Sequence, residues 1–211
     1  EYLLKEGLPA DRIIKTGSPM REVIEHYQHK IFTSTILKTL QLKAKEYFVV
    51  SVHREENVDN PFQLFQLLKT LLCLEKKYQI PVICSVHPRL KIKLQGLSSK
   101  WPKSIILHKP FGFFDYVYLE SRAKTVLSDS GTITEESSIL NFPAINLRDT
   151  HERPEGMEHA SVMLTGLKYE RIDQALQILH SNTHTNNVIP SDYQDIDISE
   201  KIVKILLSYT D

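Results

Sequence analysis

This sequence has no excess of either charge, only two cysteines and no long apolar run. Lysine and arginine number 26, and aspartate and glutamate number 26, so the formal net charge is zero. A domain that binds nucleic acid through phosphates usually carries a basic excess. No apolar run approaches the roughly 20 residues that span a bilayer, and the first residues lack the pattern of a secretory signal. We therefore expect neither nucleic acid nor a membrane as a partner.

The two cysteines, Cys73 and Cys84, lie in the apolar stretches LLKTLLCLEKK and PVICSVHP. Small buried side chains in a reducing compartment are the simpler interpretation, and a disulfide or metal-binding pair is the alternative. The histidines are scattered and form no HExxH motif, so the sequence predicts no metal site. We expect a cytoplasmic protein.

Apolar residues are plentiful enough for a core, because 41% of the 211 residues are hydrophobic. Short runs of valine, isoleucine and leucine alternate with stretches in which leucine recurs at helical spacing. We predict strands at residues 12–16, 47–52, 82–86, 105–107, 125–127, 144–147 and 161–164. We predict helices at residues 61–79, 114–124, 133–140, 171–180 and 199–209.

This alternation indicates right-handed βαβ units and therefore an α/β fold with a doubly wound parallel sheet. The polar stretches 149–160 and 180–197 are predicted to be loops. The first residues look like the last turn of a helix ending at Gly7, so we expect that residues are missing before them. In such a sheet, ligands bind beyond the carboxyl ends of the strands, which directs attention to the segments that follow each strand.

The segment VLSDSGTITEESSIL contains a strand end, a turn of small residues and a helix start. Ser130, Gly131 and Thr132 could present N–H and hydroxyl donors to a phosphate, because the first N–H groups of a helix lack internal partners. Glu136, one turn along, could accept two ribose hydroxyls. The alternative is that Ser130 or Thr132 merely caps the helix, with Glu135 completing a capping box.

Three other strand-end segments carry charged residues. Residues 148–155 are either solvated surface or an anion clamp, in which the planar fork of Arg153 is the best donor. His53, in SVHREEN, can donate to a phosphate or move a proton, although a lone histidine is more often structural. The segment SVHPR, residues 85–89, could equally be a surface turn held by Pro88.

Together these segments resemble the UDP-N-acetylglucosamine 2-epimerase family. The strings that carry the resemblance occur in order over nearly the whole chain: TGSPM (16–20), SVHREEN (51–57), SVHPR (85–89), LSDSGTITEES (127–137) and LRDTHERPEGMEHASVMLTG (147–166). The resemblance implies the C-terminal half of a two-domain, GT-B-type fold. Residues 1–20 would then be a linker, 21–197 a Rossmann-like UDP-binding domain and 198–211 a C-terminal helix, with the N-terminal domain absent.

The resemblance also implies roles for individual residues. It assigns UDP contacts to His53, Tyr116, Ser130, Gly131, Thr132, Glu136 and Arg153, with Glu136 at the ribose and Tyr116 near the uracil. His53 and Arg153 would be catalytic, since they would stabilise the negative charge that builds on the leaving diphosphate. Further candidate contacts are Arg54, His87 and Arg89. The chain departs from the family at Thr132, where glycine is more common, and at Glu55, where arginine is.

The implied reaction is anti elimination of UDP to a 2-acetamidoglycal, followed by re-addition after the C2 proton is replaced on the other face. It needs no cofactor, and the carboxylates that handle the C2 proton belong to the N-terminal domain. We therefore expect this segment alone to be inactive and the full protein to be a homodimer. SPMREV and KPFGFFDY look most similar to a subgroup that converts UDP-2-acetamido-2,6-dideoxy-L-talose to UDP-N-acetyl-L-fucosamine for bacterial surface polysaccharide.

Two alternatives to an epimerase are compatible with the sequence. One is a glycosyltransferase of the same two-domain architecture, which would also hold a nucleotide between a helix N-terminus and a glutamate. The other is a non-catalytic UDP-sugar-binding module.

Overall fold

A computed structural model describes residues 2–86, 88–94, 101–150, 153–160, 162–181 and 189–209. Its centre is a six-stranded parallel sheet with the strand order β3-β2-β1-β4-β5-β6. The strands are β1 (Phe48–Val52), β2 (Val82–Val86), β3 (Ile105–His108), β4 (Thr125–Ser128), β5 (Ala144–Asn146) and β6 (Met163–Leu164). This order reverses between β1 and β4, as it does at the ligand crevice of Rossmann-like sheets. The predicted doubly wound α/β fold is confirmed.

Helices cover both faces of the sheet. They are α1 (Tyr2–Lys5), α2 (Met20–Phe32), α3 (Ile36–Thr39), α4 (Glu55–Val58), α5 (Pro61–Tyr78), α6 (Pro88–Leu94), α7 (Phe113–Ser121), α8 (Ile133–Leu140), α9 (Pro154–Glu158), α10 (Tyr169–Ser181) and α11 (Ile198–Tyr209). Within the described residues, no helix is both long and apolar enough to cross a membrane.

Alternate residues of β1 face two separate hydrophobic clusters. On one face, Phe48, Val50 and Val52 belong to a buried cluster with residues of α5 and α10. On the other, Tyr47 and Val49 belong to a cluster with residues of α7 and α8. A strand covered on both faces needs apolar side chains at every position, which explains the continuous run YFVV. Each large aliphatic side chain buried in these clusters contributes about 1.5–3 kcal/mol.

Helix α5 shows why its boundaries could be predicted. The Asn60 side-chain oxygen accepts hydrogen bonds from the N–H groups of Phe62 (2.9 Å) and Gln63 (3.4 Å), and Pro61 occupies the first turn. The helix ends where Gln79 adopts the left-handed conformation, with φ of 52°. Its apolar stripe buries Leu67, Leu71 and Leu74 against the sheet.

The two cysteines were expected to be small buried side chains, which is true of Cys84 and only partly true of Cys73. Cys84 is buried in β2, and burial raises the pKa of its thiol to about 12. Cys73, on α5, is only half-buried, and both cysteines are free. Cys84 belongs to a buried apolar cluster, as a small hydrophobic residue would.

The strand predicted at residues 12–16 is wrong. A 3₁₀ turn covers Ala10–Arg12, and the described backbone that follows it belongs to no strand. Ile14 is 45% exposed, and the first backbone link of this segment to the domain runs from the Ser18 N–H to the Asp192 carbonyl. An apolar run becomes a strand only where a neighbouring strand supplies hydrogen bonds, and none lies beside this one in the described structure.

Other differences concern polar segments. Helix α2 was not predicted, because its polar sequence buries only Ile24 and Ile31. The predicted loop 149–160 contains α9, and the predicted loop 180–197 contains a 3₁₀ turn at Ser191–Tyr193. In both, a proline precedes or opens the helical turn and favours it locally.

Candidate functional site

The carboxyl ends of β1, β4 and β5 meet at one edge of the sheet. The Asp129 N–H donates to the Ser51 carbonyl (3.2 Å), and the Leu147 N–H donates to the Ser128 carbonyl (2.9 Å). Three strand-end loops therefore start side by side: the loop with His53, the turn from Asp129 to Thr132 and the segment that leads to Arg153. This is the edge at which doubly wound sheets bind ligands.

The Asp129 carboxylate organises the loop that follows β1. It is fully buried and accepts hydrogen bonds from the backbone N–H groups of His53 (3.1 Å) and Arg54 (3.0 Å). The Asn57 side chain donates to it as well (3.0 Å), and the Nδ1 atom of His53 lies 2.9 Å from its Oδ1. The Arg54 Nε donates to the Asp129 carbonyl (2.9 Å). Backbone and side chains of this loop are thus fixed by one residue of the neighbouring strand.

The electrostatics of this pair favour an ionised aspartate beside a protonated histidine. Burial alone would raise the pKa of Asp129, but the hydrogen bonds from His53, Asn57 and Arg54 outweigh it and lower that pKa. The hydrogen bond to Asp129 raises the pKa of His53 above its usual value, against the opposing effect of burial. The His53 side chain is half-exposed, so the ring can meet a ligand at this edge.

The turn between β4 and α8 is held by its own hydroxyl groups. Ser130 Oγ lies 2.9 Å from Thr132 Oγ1 and accepts a weak hydrogen bond from the Thr132 N–H (3.4 Å). Gly131 lies between them and is half-buried. The Thr132 side chain makes no capping hydrogen bond to the described backbone, and Glu135 forms an ion pair with Arg153 instead of completing a capping box. The capping alternative is therefore wrong for Thr132 and for the capping box, whereas Ser130 accepts the weak hydrogen bond from the Thr132 N–H.

Glu136 lies in the first turns of α8 and is only 7% exposed. Burial, and to a smaller extent the carboxylate of Glu135, raise its pKa to about 7, against the opposing effect of the Thr132 hydroxyl. A second buried carboxyl group, Glu120 on α7, interacts electrostatically with Glu136. Burial, followed by the charge of Glu136, raises the pKa of Glu120 well above its usual value. Folding therefore favours the protonated form of Glu120, which lies beside a Glu136 whose pKa is about 7.

Tyr116 lies on α7 beside this carboxyl pair. Burial and then the charge of Glu120 raise its pKa well above the usual value. Its ring stacks on that of Phe111 (centroids 6.4 Å apart), which stacks in turn on His108 (4.0 Å). A stack of aromatic rings at a strand end is suited to a planar base.

Arg153 stands at the start of α9 and faces an open cavity of about 610 Å³. One of its guanidinium nitrogens lies 3.2 Å from the Glu135 carboxylate, which is buried while Arg153 is partly exposed. Thr132, Glu135, Glu155 and Tyr193 line the same cavity, together with residues 14–20, Val23 and Phe113.

The structure thus brings most of the predicted site residues to one edge of the sheet. Thr132 and Arg153 line one cavity, and His53 contacts Asp129, which directly precedes Ser130. Tyr116 and Glu136 both interact with Glu120. His87 and the side chain of Arg89 lie outside the described residues. Among the residues described, no three His, Cys, Asp or Glu side chains group as a metal site requires.

Four residues that shape the site were not predicted: Asn57, Glu120, Asp129 and Glu135. Asp129 had a usable signal, because an acidic residue directly after a buried strand must find donors at the sheet edge. The others had none, since their partners lie on elements that are distant in sequence.

The model of the UDP-N-acetylglucosamine 2-epimerase family matches residues 1–207. The chain therefore belongs to this family. A UDP-N-acetylglucosamine 2-epimerase from Methanococcus maripaludis is 32% identical over 193 residues, which is 88% of the chain and 53% of the relative. The predicted family is confirmed.

Solved structures of family members have the same fold. The UDP-N-acetylglucosamine 2-epimerase of Rickettsia bellii is 41% identical with a TM-score of 0.87, covering 99% of this chain and 56% of that one. The Methanocaldococcus jannaschii enzyme, solved in complex with UDP-GlcNAc and UDP, is 30% identical with a TM-score of 0.87, covering 98% and 57%. The chain thus spans about half the length of these epimerase-family relatives.

Proposed function

We propose that the protein containing this chain epimerises a UDP-2-acetamido sugar at C2, and that this domain holds the UDP. The observation that carries the proposal is the convergence of His53, the turn at Ser130 and Arg153 at one sheet edge. These groups offer imidazole, hydroxyl and guanidinium donors where a diphosphate would lie. The structure of a family member with UDP-GlcNAc and UDP supports the choice of ligand.

In the proposed reaction, the bond between C1 and the diphosphate oxygen breaks and its electron pair leaves with UDP. A base removes the C2 proton, and the C1–C2 double bond of the 2-acetamidoglycal forms. UDP then adds back after a proton has been delivered to the other face of C2. Donors fixed before the reaction stabilise the charge on the leaving diphosphate without reorganisation. His53, held by Asp129, and Arg153, held by Glu135, are suited to that task.

Glu136 and Tyr116 complete the proposed nucleotide site. Glu136 would accept hydrogen bonds from the ribose hydroxyls, and the ring of Tyr116 would contact the uracil. The acid and base that act at C2 are to be sought in the half of the relatives that this chain does not cover. We therefore expect the segment alone to bind UDP weakly and to turn over no sugar.

A 6-deoxy sugar is the second candidate substrate. The wall of the cavity that Arg153 faces includes the apolar side chains of Met20, Val23 and Phe113. A methyl group at C6 would be accommodated by such a wall better than a hydroxyl group, whose burial without a partner is costly. The same proposal places the enzyme in the cytoplasm as a homodimer whose product supplies bacterial surface polysaccharide.

The experiment is proton NMR of the full-length protein in heavy water, with UDP-N-acetylglucosamine and the UDP-6-deoxy-L-talose derivative in parallel. Deuterium incorporation at C2 with inversion would establish epimerisation, and the sugar that reacts would identify the substrate. UDP binding without exchange of either C2 proton would contradict the proposal. Loss of the UDP-sugar only when an acceptor is present would indicate a glycosyltransferase instead.

A further inference from the structure

Glu135 has a position that the proposed chemistry does not explain. It is 4% exposed on α8, next in sequence to the proposed ribose contact Glu136, and it lines the cavity that Arg153 faces. Placing two adjacent carboxyl groups in one buried turn is unfavourable, because each opposes the ionisation of the other. In this environment a carboxyl group is either protonated and neutral, or ionised and paired with a group of opposite charge.

The partner is Arg153. Its Nη2 atom lies 3.2 Å from Oε1 of Glu135, across the gap between α8 and the start of α9. The pKa of Glu135 is raised, because the effect of burial outweighs the opposing effects of Arg153 and then of the Ser18 hydroxyl, and Glu155 raises it further. An arginine has five N–H donors in a rigid fork, so a single contact with Glu135 leaves other donors for a ligand.

The backbone that carries Arg153 is fixed from the other side. Tyr193 donates its hydroxyl hydrogen to Glu155 (2.9 Å), two residues beyond Arg153. Gly156 packs so closely on α8 that a Cβ atom there would lie 2.0 Å from the Thr134 methyl carbon. The main chain of α9 is therefore held against α8, and the remaining freedom is that of the Arg153 side chain, which Glu135 restricts.

We propose that Glu135 is a positioning residue that orients the guanidinium of Arg153 toward the leaving diphosphate. This inference rests on the proposed function, in which Arg153 contacts the diphosphate. Glu135 acts through Arg153 and does not itself meet the ligand. Because small errors in the placement of a charged donor cost transition-state stabilisation, the effect appears mainly in turnover.

The test is a double-mutant cycle in the full-length protein with Glu135→Gln, Arg153→Ala and the two combined. Glu135→Gln keeps the shape of the side chain and removes its charge. We expect kcat to fall at least about tenfold and KM to change less than about threefold. In the Arg153→Ala background the same substitution should change kcat less than about twofold, since its target is gone. Glu158→Gln, on the exposed side of α9, is the control and should match the wild type.

An equal loss of kcat from Glu135→Gln in both backgrounds would show a structural role and overturn the inference. An unchanged kcat in the single variant would overturn it as well. If Arg153→Ala does not fold, Arg153→Met replaces it, because methionine keeps part of the bulk of the side chain but has no N–H donor for Glu135 to orient.

A binding measurement separates this inference from the proposed reaction. UDP affinity, measured by calorimetry in the same variants, needs no turnover. We expect Glu135→Gln to weaken UDP binding about threefold alone and not at all when Arg153 is alanine. A wild type that binds UDP without epimerising would refute the proposed function, and the cycle in UDP affinity would still decide the role of Glu135.

Discussion

The Nδ1 atom of His53 lies 2.9 Å from Oδ1 of Asp129, a residue of the neighbouring strand end. The same carboxylate accepts hydrogen bonds from the backbone N–H groups of His53 and Arg54. Asp129 directly precedes Ser130, so one buried side chain fixes the loop after β1 relative to the turn before α8. The two proposed groups of phosphate donors are therefore joined as one unit through Asp129.

We expect Asp129→Asn to loosen this unit. The amide cannot ionise, so the hydrogen bonds from His53, Asn57 and the Arg54 N–H lose their charged acceptor. The loss should lower the stability of the full-length protein by about 2 kcal/mol, as for other buried hydrogen bonds to charged groups. The pKa of His53 should fall toward its usual value, because its hydrogen bond to Asp129 is what raises it. Titration of the His53 ring protons by NMR measures this shift.

Asp197→Asn is the matched control, since Asp197 is exposed at the start of the last helix. It should leave both the stability and the His53 titration unchanged. A His53 pKa that stays raised in Asp129→Asn would show that another group controls the imidazole.

Glu136 gives a prediction about pH. Its pKa of about 7 means that the carboxylate that would accept the ribose hydroxyls forms as the pH rises through neutrality. If only the ionised form binds, the affinity for a UDP-sugar should increase about tenfold between pH 6 and pH 8. A UDP-sugar is the right probe, because its diphosphate does not titrate in this range. Calorimetry at several pH values makes the measurement.

His53 acts in the opposite direction, because its positive charge is lost as the pH rises. Glu136→Gln removes the first effect and keeps the second, so its affinity should be flat or should decline with pH. Glu158→Gln should keep the wild-type profile. A profile of Glu136→Gln that still rises with pH would rule out Glu136 as the titrating group.

Much of the fold could be predicted because the signals are local. Strands buried on both faces require unbroken apolar runs, and the predictions for β1, β2 and β4 agree with the structure to within one residue at each end. The run at residues 12–16, RIIKT, carries only two apolar residues between basic ones and has no neighbouring strand in the described structure. Two isoleucines in sequence do not reveal whether a strand partner is present. Helix α2 is the converse, because two buried isoleucines suffice when α7 and α8 supply the opposing surface.

The site was predictable only in part, for the same reason. His53, Ser130 and Arg153 could be selected because each follows a strand of a doubly wound sheet. The role of Asp129 depends on β1 and β4 being neighbours, which is a property of the strand order. Glu135 occupies the position of a capping-box residue, three residues after Thr132. Its carboxylate nevertheless pairs with Arg153, which comes from another loop, and not with the backbone at the start of the helix. Such competition cannot be deduced from spacing along the chain.

Glu120 predicts a particular dependence of stability on pH. It is 1% exposed, and the Tyr116 hydroxyl, which favours its ionised form, only partly offsets the effect of burial on its pKa. Its raised pKa in the folded state means that folding favours the protonated form. The free energy of unfolding should therefore fall as the pH rises above the ordinary glutamate value of about 4.3. Glu120→Gln cannot ionise, so it should show a shallower decline between pH 5 and pH 8 in chemical denaturation.

The slope is the quantity to compare, because glutamine introduces its own amide and changes the absolute stability. Because Glu136 interacts with Glu120, the same substitution is also compared in a Glu136→Gln background, in which residue 136 cannot titrate. Equal slopes in wild type and Glu120→Gln would mean that Glu120 titrates normally in the folded protein.

Gly156 offers a test of the contact between α8 and α9 that supports Arg153. A Cβ atom at residue 156 would lie 2.0 Å from the Thr134 methyl carbon, so Gly156→Ala should destabilise the protein by about 1–3 kcal/mol and weaken UDP binding. Thr134→Ser removes that methyl group, and the next side-chain atom of residue 134 lies 3.4 Å from the position that the new carbon would take, which is an acceptable contact. The double variant should recover most of the stability and affinity, whereas Thr134→Ser alone should change UDP affinity little. Thermal unfolding measures the stability, and calorimetry measures the affinity for UDP. If the double variant is as unstable and binds UDP as weakly as Gly156→Ala, the loss arises from the backbone of α9 and not from this contact.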